Sequence, residues 1–102
     1  MIRHVVVFSW NDYVTEADIA AVGAALAKLP GQVPEIRRYS FGRDAGLVAG
    51  NSQFAVVADF DDAAGYATYA SHPDHLVVLE TLVRPRLASR AAVQFELTTA
   101  SV

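Results

Sequence analysis

The run Ile2-Arg-His-Val-Val-Val-Phe-Ser-Trp10 limits the possible folds of this chain more than any other segment. It is rich in β-branched and aromatic residues and reads as a strand. Alternation puts Ile2, His4, Val6, Phe8 and Trp10 on one face and Arg3, Val5, Val7 and Ser9 on the other. The middle of the strand is apolar on both faces, so it has to be covered on both sides. The chain has 102 residues, which fits a single domain spanning 1–102, and 53% of them are hydrophobic. Helices of the same chain can cover one side. Part of the apolar surface is therefore expected to be an association surface.

The rest of the chain supplies those helices in a regular order. Asn11 to Val14 reads as a turn, with Thr15 as N-cap and Asp18 near the positive end of the helix dipole. A helix over Glu16 to Leu29 carries Ile19, Val22, Leu26 and Leu29 on one stripe, and Pro30-Gly31 is expected to end it. A second strand is expected over Ile36 to Phe41, with Arg37, Tyr39 and Phe41 on one face. Asp44 to Ser52 reads as a loop. A third strand covers Phe54 to Phe60, and Asp61-Asp62 supplies capping carboxylates for a short helix from Ala63 to Ser71. His72-Pro73 interrupts that helix, and another runs from Asp74 to about Val83, disturbed at its end by Pro85. The last strand is expected over Ala91 to Leu97, and Ala100 to Val102 reads as frayed. The order β-α-β, then β-α(broken)-β, predicts an α+β fold of ferredoxin-like type, a four-stranded antiparallel sheet with its helices on one face. The other face would present Val5, Val7, Ala55 and Val57, a patch that calls for a partner.

Composition narrows the function classes. The net charge is −3 with no basic stripe, so nucleic acid is not an expected partner. No apolar run approaches the roughly 18 residues of a membrane span, and the first residues enter a strand pattern instead of a signal peptide. A cytoplasmic location is the default expectation. There is no cysteine, so thiol nucleophiles, thiolate metal sites and disulfides are excluded.

Chemistry is concentrated in Tyr69-Ala-Ser-His72-Pro73-Asp74-His75, which holds two of the three histidines. In one continuous helix Tyr69 and His75 would face different ways; a break at His72-Pro73 can aim both at one cavity. His72, held extended by the following proline, suits a structural role at the break. The third histidine, His4, would read alone as a core residue with its hydrogen bonds satisfied. It gains a chemical role only by meeting the other two in space. No metal-ligand pattern, phosphate-binding glycine loop or Gly-x-Ser-x-Gly elbow is present.

Several segments together carry a resemblance. These are Ile2-Arg-His4-Val-Val-Val-Phe8, Leu29-Pro30-Gly31 followed by Ile36-Arg37, Phe54-Ala-Val-Val-Ala-Asp-Phe60-Asp61-Asp62, Tyr69-x-x-His72-Pro73-x-His75 and Val93-Gln-Phe95-Glu96. In this order and length the chain resembles the stress-responsive dimeric α/β-barrel (Dabb) family. The resemblance implies a homodimer in which two sheets pack into a barrel. It also implies a cofactor-free pocket between sheet and helices for a small apolar or polyketide-like ligand. Phe8, Phe54, Val56, Tyr66 and His72 are the substrate-binding candidates it implies.

By the same resemblance, His4, Tyr69 and His75 match catalytic residues of a plant polyketide cyclase of the family. There His75 would remove a proton from an activated carbon, Tyr69 would polarise or position the carbonyl and His4 would orient the pair or share the proton. A further pocket histidine of that enzyme falls at Phe54 here. Three functions remain open: a stress-type dimer that binds a ligand with no assigned reaction, a cofactor-free cyclase, lyase or isomerase, and a monooxygenase of the antibiotic-biosynthesis type.

Overall fold

The computed structural model describes residues 1–98. Four strands, β1 (Ile2–Trp10), β2 (Arg38–Arg43), β3 (Phe54–Phe60) and β4 (Leu87–Glu96), form one sheet in the order β2-β3-β1-β4. Every neighbouring pair is antiparallel. Helix α1 (Glu16–Gln32) joins β1 to β2. Helices α2 (Ala63–Ser71) and α3 (Pro73–Val78), a π-helical turn at Leu79–Val83 and a 3-10 turn at Arg84–Arg86 join β3 to β4. This is the ferredoxin-like arrangement that the element order predicts.

Local chemistry sets the helix starts. Thr15 and Asp18 form a capping box, in which the Asp18 N–H donates to Thr15 Oγ1 at 3.1 Å and the Thr15 N–H donates to Asp18 Oδ2 at 3.0 Å. Asp62 caps α2 by accepting from the Gly65 N–H at 2.9 Å. The inner sheet face and α1 then build the core. Phe60, Leu29, Val22 and Val33 are fully enclosed, and Val6, Phe8, Trp10, Phe54, Val56 and Ala58 are buried beside them.

Four boundaries differ from those read in the sequence. Helix α1 continues past Pro30 to Gln32. Pro30 falls in the last turn, where its missing N–H forfeits one bond. The Val33 N–H still closes on the Leu29 carbonyl at 2.8 Å, and buried Leu29 and Val33 hold that end down. Strand β2 is shifted to Arg38–Arg43 because its pairing runs alongside β3, Arg38 opposite Asp59 and Arg43 opposite Phe54. The segment after Pro73 is α3, then the π-helical turn and the 3-10 turn, where one helix was expected. Strand β4 begins at Leu87, because β1 offers a partner along its whole length, Trp10 opposite Leu87 and Ile2 opposite Glu96. The segment Ala100–Val102 lies outside the described residues.

Among the described residues no helix lies on the outer sheet face. Val57, Val5 and Val93 lie side by side across three strands, with Ala55, Val7 and Ala91 in the next row. Val93 is 56% exposed and Phe95 44%. At one end of this face Arg3 grips Asp59 with two hydrogen bonds, Nε to Oδ1 at 2.7 Å and Nη2 to Oδ2 at 2.8 Å. Asp59 is 1% exposed, and the hydrogen bond from Arg3 holds its carboxyl below the usual carboxylate range.

Leu29 anchors α1 to the sheet with no accessible surface. Leu29→Ala is expected to lower unfolding stability by about 2–5 kcal/mol, measured by chemical denaturation.

Candidate functional site

One row of residues crosses the inner face of all four strands: Gln94, His4, Ala58 and Tyr39. Ala58, the small member, lies between His4 and Tyr39 and is fully buried. Tyr66 and Tyr69 from the helices pack over this row. The break that follows them depends on His72. It closes α2 and caps α3, its Nδ1 accepting from the Asp74 N–H at 3.1 Å, and its backbone (φ −63°, ψ 133°) has the extended form a following proline favours. Pro73 takes the first helical position of α3. The chain turns there, and the His75 ring lies against that of Tyr69, centroids 4.1 Å apart and planes tilted by 33°.

His4 therefore meets both helical aromatics. Its ring centroid is 5.1 Å from that of Tyr66 and 6.2 Å from that of Tyr69. His4, Tyr69 and His75 line one cavity of about 460 Å³, a size suited to a small organic ligand. Apolar side chains, among them Val6, Phe8, Leu26, Val56 and Leu79, make up much of its wall.

The hydrogen bonds give the two histidines opposite roles. His75 Nδ1 lies 3.2 Å from the Ala70 carbonyl oxygen, which can only accept. Nδ1 therefore carries the proton, and Nε2 keeps a free lone pair. Gln94 directs its amide nitrogen at His4 Nδ1, 2.8 Å away. Here Nδ1 accepts, so the ring proton sits on Nε2. One imidazole thus offers a base and the other a donor. Tyr69 and Tyr39 share a hydrogen bond of 3.1 Å between their hydroxyls.

Burial sets the protonation states. His4 is 5% exposed and His75 8%. Loss of hydration pushes the His4 pKa down to about 4, and the positive charges of Arg90 and His75 add to the effect. Burial also lowers His75; its bond to Ala70 opposes the shift, and the charges of His72, Arg84 and Arg90 reinforce it. Both rings are neutral at neutral pH. Burial raises the pKa of both Tyr69 and Tyr39, so both phenols keep their protons.

Of the other substrate-binding candidates, Phe8, Val56 and Tyr66 line the cavity; Phe54 and His72 do not. Phe54 is core packing behind it, stacked on Phe8 at 5.3 Å and edge-on to Trp10 at 5.6 Å. His72 is occupied as the cap between α2 and α3. Tyr39, Gln94 and Arg90 belong to the site and were not singled out in the sequence. Strand alternation places Tyr39 on a face with Phe41, which is a usable signal. The roles of Gln94 and Arg90 follow from the β1–β4 register, which the sequence does not display. Among the described residues, no group of three histidine, aspartate or glutamate side chains is placed to hold a metal ion.

The model of the stress responsive A/B barrel domain, Dabb, matches residues 2–97. The chain belongs to the Dabb family. A dimeric ferredoxin-like protein of unknown function from Thermobifida fusca is 51% identical, with a TM-score of 0.88 over 94% of this chain and 90% of that one. More distant structures share the fold alone. The hydroxynitrile lyase from Passiflora edulis has a TM-score of 0.85 at 17% identity, covering 99% of this chain and 96% of its own. SnoaB, a cofactor-independent oxygenase from Streptomyces nogalater, has a TM-score of 0.75 at 16% identity, covering 97% and 94%. No curated protein matches the chain.

The buried histidine of this Dabb chain makes its stability depend on pH. Above about pH 6.5 His4 is neutral folded and unfolded and contributes nothing. Between pH 6.5 and the folded value of about 4, the unfolded chain binds the proton and the folded chain does not, so stability falls as pH falls. The loss attributable to His4 approaches about 3 kcal/mol. Unfolding measured at pH 7 and pH 4.5 should show a clearly smaller acid loss in His4→Gln than in wild type. Equal losses would refute the assignment.

Proposed function

We propose that the cavity takes a small, mainly apolar carbonyl compound and that His4, Tyr69 and His75 catalyse proton transfer on it without a cofactor, in the manner of a lyase, isomerase or cyclase. The observation that carries this reading is the pairing of two buried, neutral imidazoles in opposite tautomers beside a protonated phenol. His75 Nε2 takes a proton from the substrate, from carbon or hydroxyl. The negative charge that develops on the substrate oxygen is met by donors, the Tyr69 hydroxyl and His4 Nε2–H. The imidazolium of His75 then returns its proton to the product, and the enzyme is restored. A low-dielectric wall strengthens each of these interactions. Enzymes exist on this fold, among them a hydroxynitrile lyase and a cofactor-independent oxygenase. Ligand binding without turnover is the alternative outcome.

Exchange of the α-protons of acetophenone and propiophenone in D2O, followed by NMR, tests base chemistry directly. Wild type should exchange them above background, and His75→Ala should lose about 10²–10⁴-fold of the rate. Binding by both proteins with no exchange in either would leave a ligand-binding protein instead.

The working unit in this proposal is a homodimer closed through the outer sheet face. The apolar row of Val57, Val5 and Val93 supports it, as does the dimeric state of the Thermobifida fusca relative. Sedimentation should give a dimer for wild type at micromolar concentration and a monomer for Val57→Asp. A monomeric wild type would remove the barrel.

A further inference from the structure

The cavity wall is uneven in charge. No aspartate or glutamate lines it among the described residues; its charged lining residues are Arg84 and Arg90. They stand at the end where the 3-10 turn passes into β4. Arg84 is already engaged, with Nη1 donating to Glu80 one helical turn back. Nearby Arg86 pairs with Asp18 at 3.4 Å and donates to the carbonyls of Thr81 and Leu82. The Arg90 guanidinium has no hydrogen bond or ion pair among the described residues.

Arg90 is also in the right place to meet a ligand. It lies opposite Phe8, and Gln94 lies opposite His4, so both project from the inner face of β4. Four residues separate the two positions, about 13 Å of strand. Between their rows runs an apolar row, Ala92, Val6, Val56 and Phe41, of which Val6 and Val56 line the cavity. The charge of Arg90 reaches both histidines and disfavours their protonation. The cavity therefore has three zones in sequence: a proton-transfer cluster, an apolar stretch and an uncompensated guanidinium.

We infer that Arg90 is an anion-binding residue and that the ligand of this cavity is a small amphipathic carboxylic acid, with a carbonyl at one end, an apolar body, and a carboxylate held by Arg90 at the other. The planar guanidinium matches a carboxylate with two parallel hydrogen bonds. A phosphate would call for additional donors, and no glycine-rich cradle lies at this end. The inference rests on the cavity being a ligand site and adds the charge that selects the ligand.

Matched acids and methyl esters separate the two claims. The probes are 4-oxo-4-phenylbutanoic acid, 6-oxo-6-phenylhexanoic acid, their methyl esters and inorganic phosphate, with affinities measured by calorimetry. Wild type should bind at least one acid about tenfold more tightly than its ester, a preference that weakens as salt is raised. Arg90→Gln should bring acid and ester to equal affinity while ester binding is retained. The control is Arg37→Gln, which removes the same charge away from the cavity, where Arg37 pairs with Asp61. It should keep the preference. Equal binding of acid and ester by wild type overturns the anion role and leaves the cavity reading standing. A preference that survives Arg90→Gln, or is lost equally in Arg37→Gln, also overturns it. Phosphate binding as tight as that of the acids removes the carboxylate assignment. If neither acids nor esters bind wild type, the ligand-site reading falls and the inference falls with it. Arg90 is exposed on an edge strand, so an unchanged melting temperature will show that the variant is folded.

Discussion

The register between β1 and its two neighbours is the constraint on which the rest of the structure depends. It puts Gln94, His4, Ala58 and Tyr39 in one line across the sheet. A slip of one residue in either pairing would turn the shifted strand's residues to the opposite face. The apolar pattern forbids such a slip, because Val6, Phe8 and Trp10 would leave the core with it. The hydrophobic effect thus fixes the position of a histidine that has little affinity for an apolar interior. His4 tolerates the position because it is neutral and because Gln94 satisfies one of its ring nitrogens.

Two structural devices converge on the cavity, and they work at different ranges. The His72-Pro73 break is local: a few residues of backbone decide the angle at which α3 leaves α2 and hence where His75 lies. Strand pairing is long-range and brings His4, Tyr39 and Gln94 from three separate strands. Tyr69 is where the products of the two devices touch, hydrogen-bonded to Tyr39 and against the ring of His4. A cavity with a polar cluster at one end, aliphatic walls and a guanidinium at the other results, and burial keeps His4, His75, Tyr39 and Tyr69 uncharged.

Much of this was legible in the sequence wherever the information was local. The alternation in β1 and β3, the Thr15 cap and the Asp61-Asp62 start of α2 all depend on residues a few positions apart, and the structure has these elements where the patterns place them. The convergence of His4, Tyr69 and His75 was legible only through the resemblance, since spacing alone left it open. Boundaries set by distant partners were not readable. Strand β4 starts at Leu87 because Trp10 lies across from it, and β2 is shifted because β3 determines its frame. Arg90 shows the cost of that: assigning the last strand from Ala91 left it outside any face. Phe54 was placed at a pocket position by analogy, but its ring fills the stack between Phe8 and Phe41.

The pairing of β1 with β4 also governs the order in which this molecule can come into being. His4 and Gln94 are bonded across 90 positions of the chain. Of the four strands β1 is made before the others, yet it is central in the finished sheet, and one of its edges stays unpaired until β4 has been made. Contacts of such large sequence separation slow folding and leave an apolar edge open meanwhile. Before β4 is made the chain can form α1 and can zip β1 to β3, yet the cavity still lacks the part of its wall that Leu87 and Arg90 supply. The last of the four strands completes the cavity.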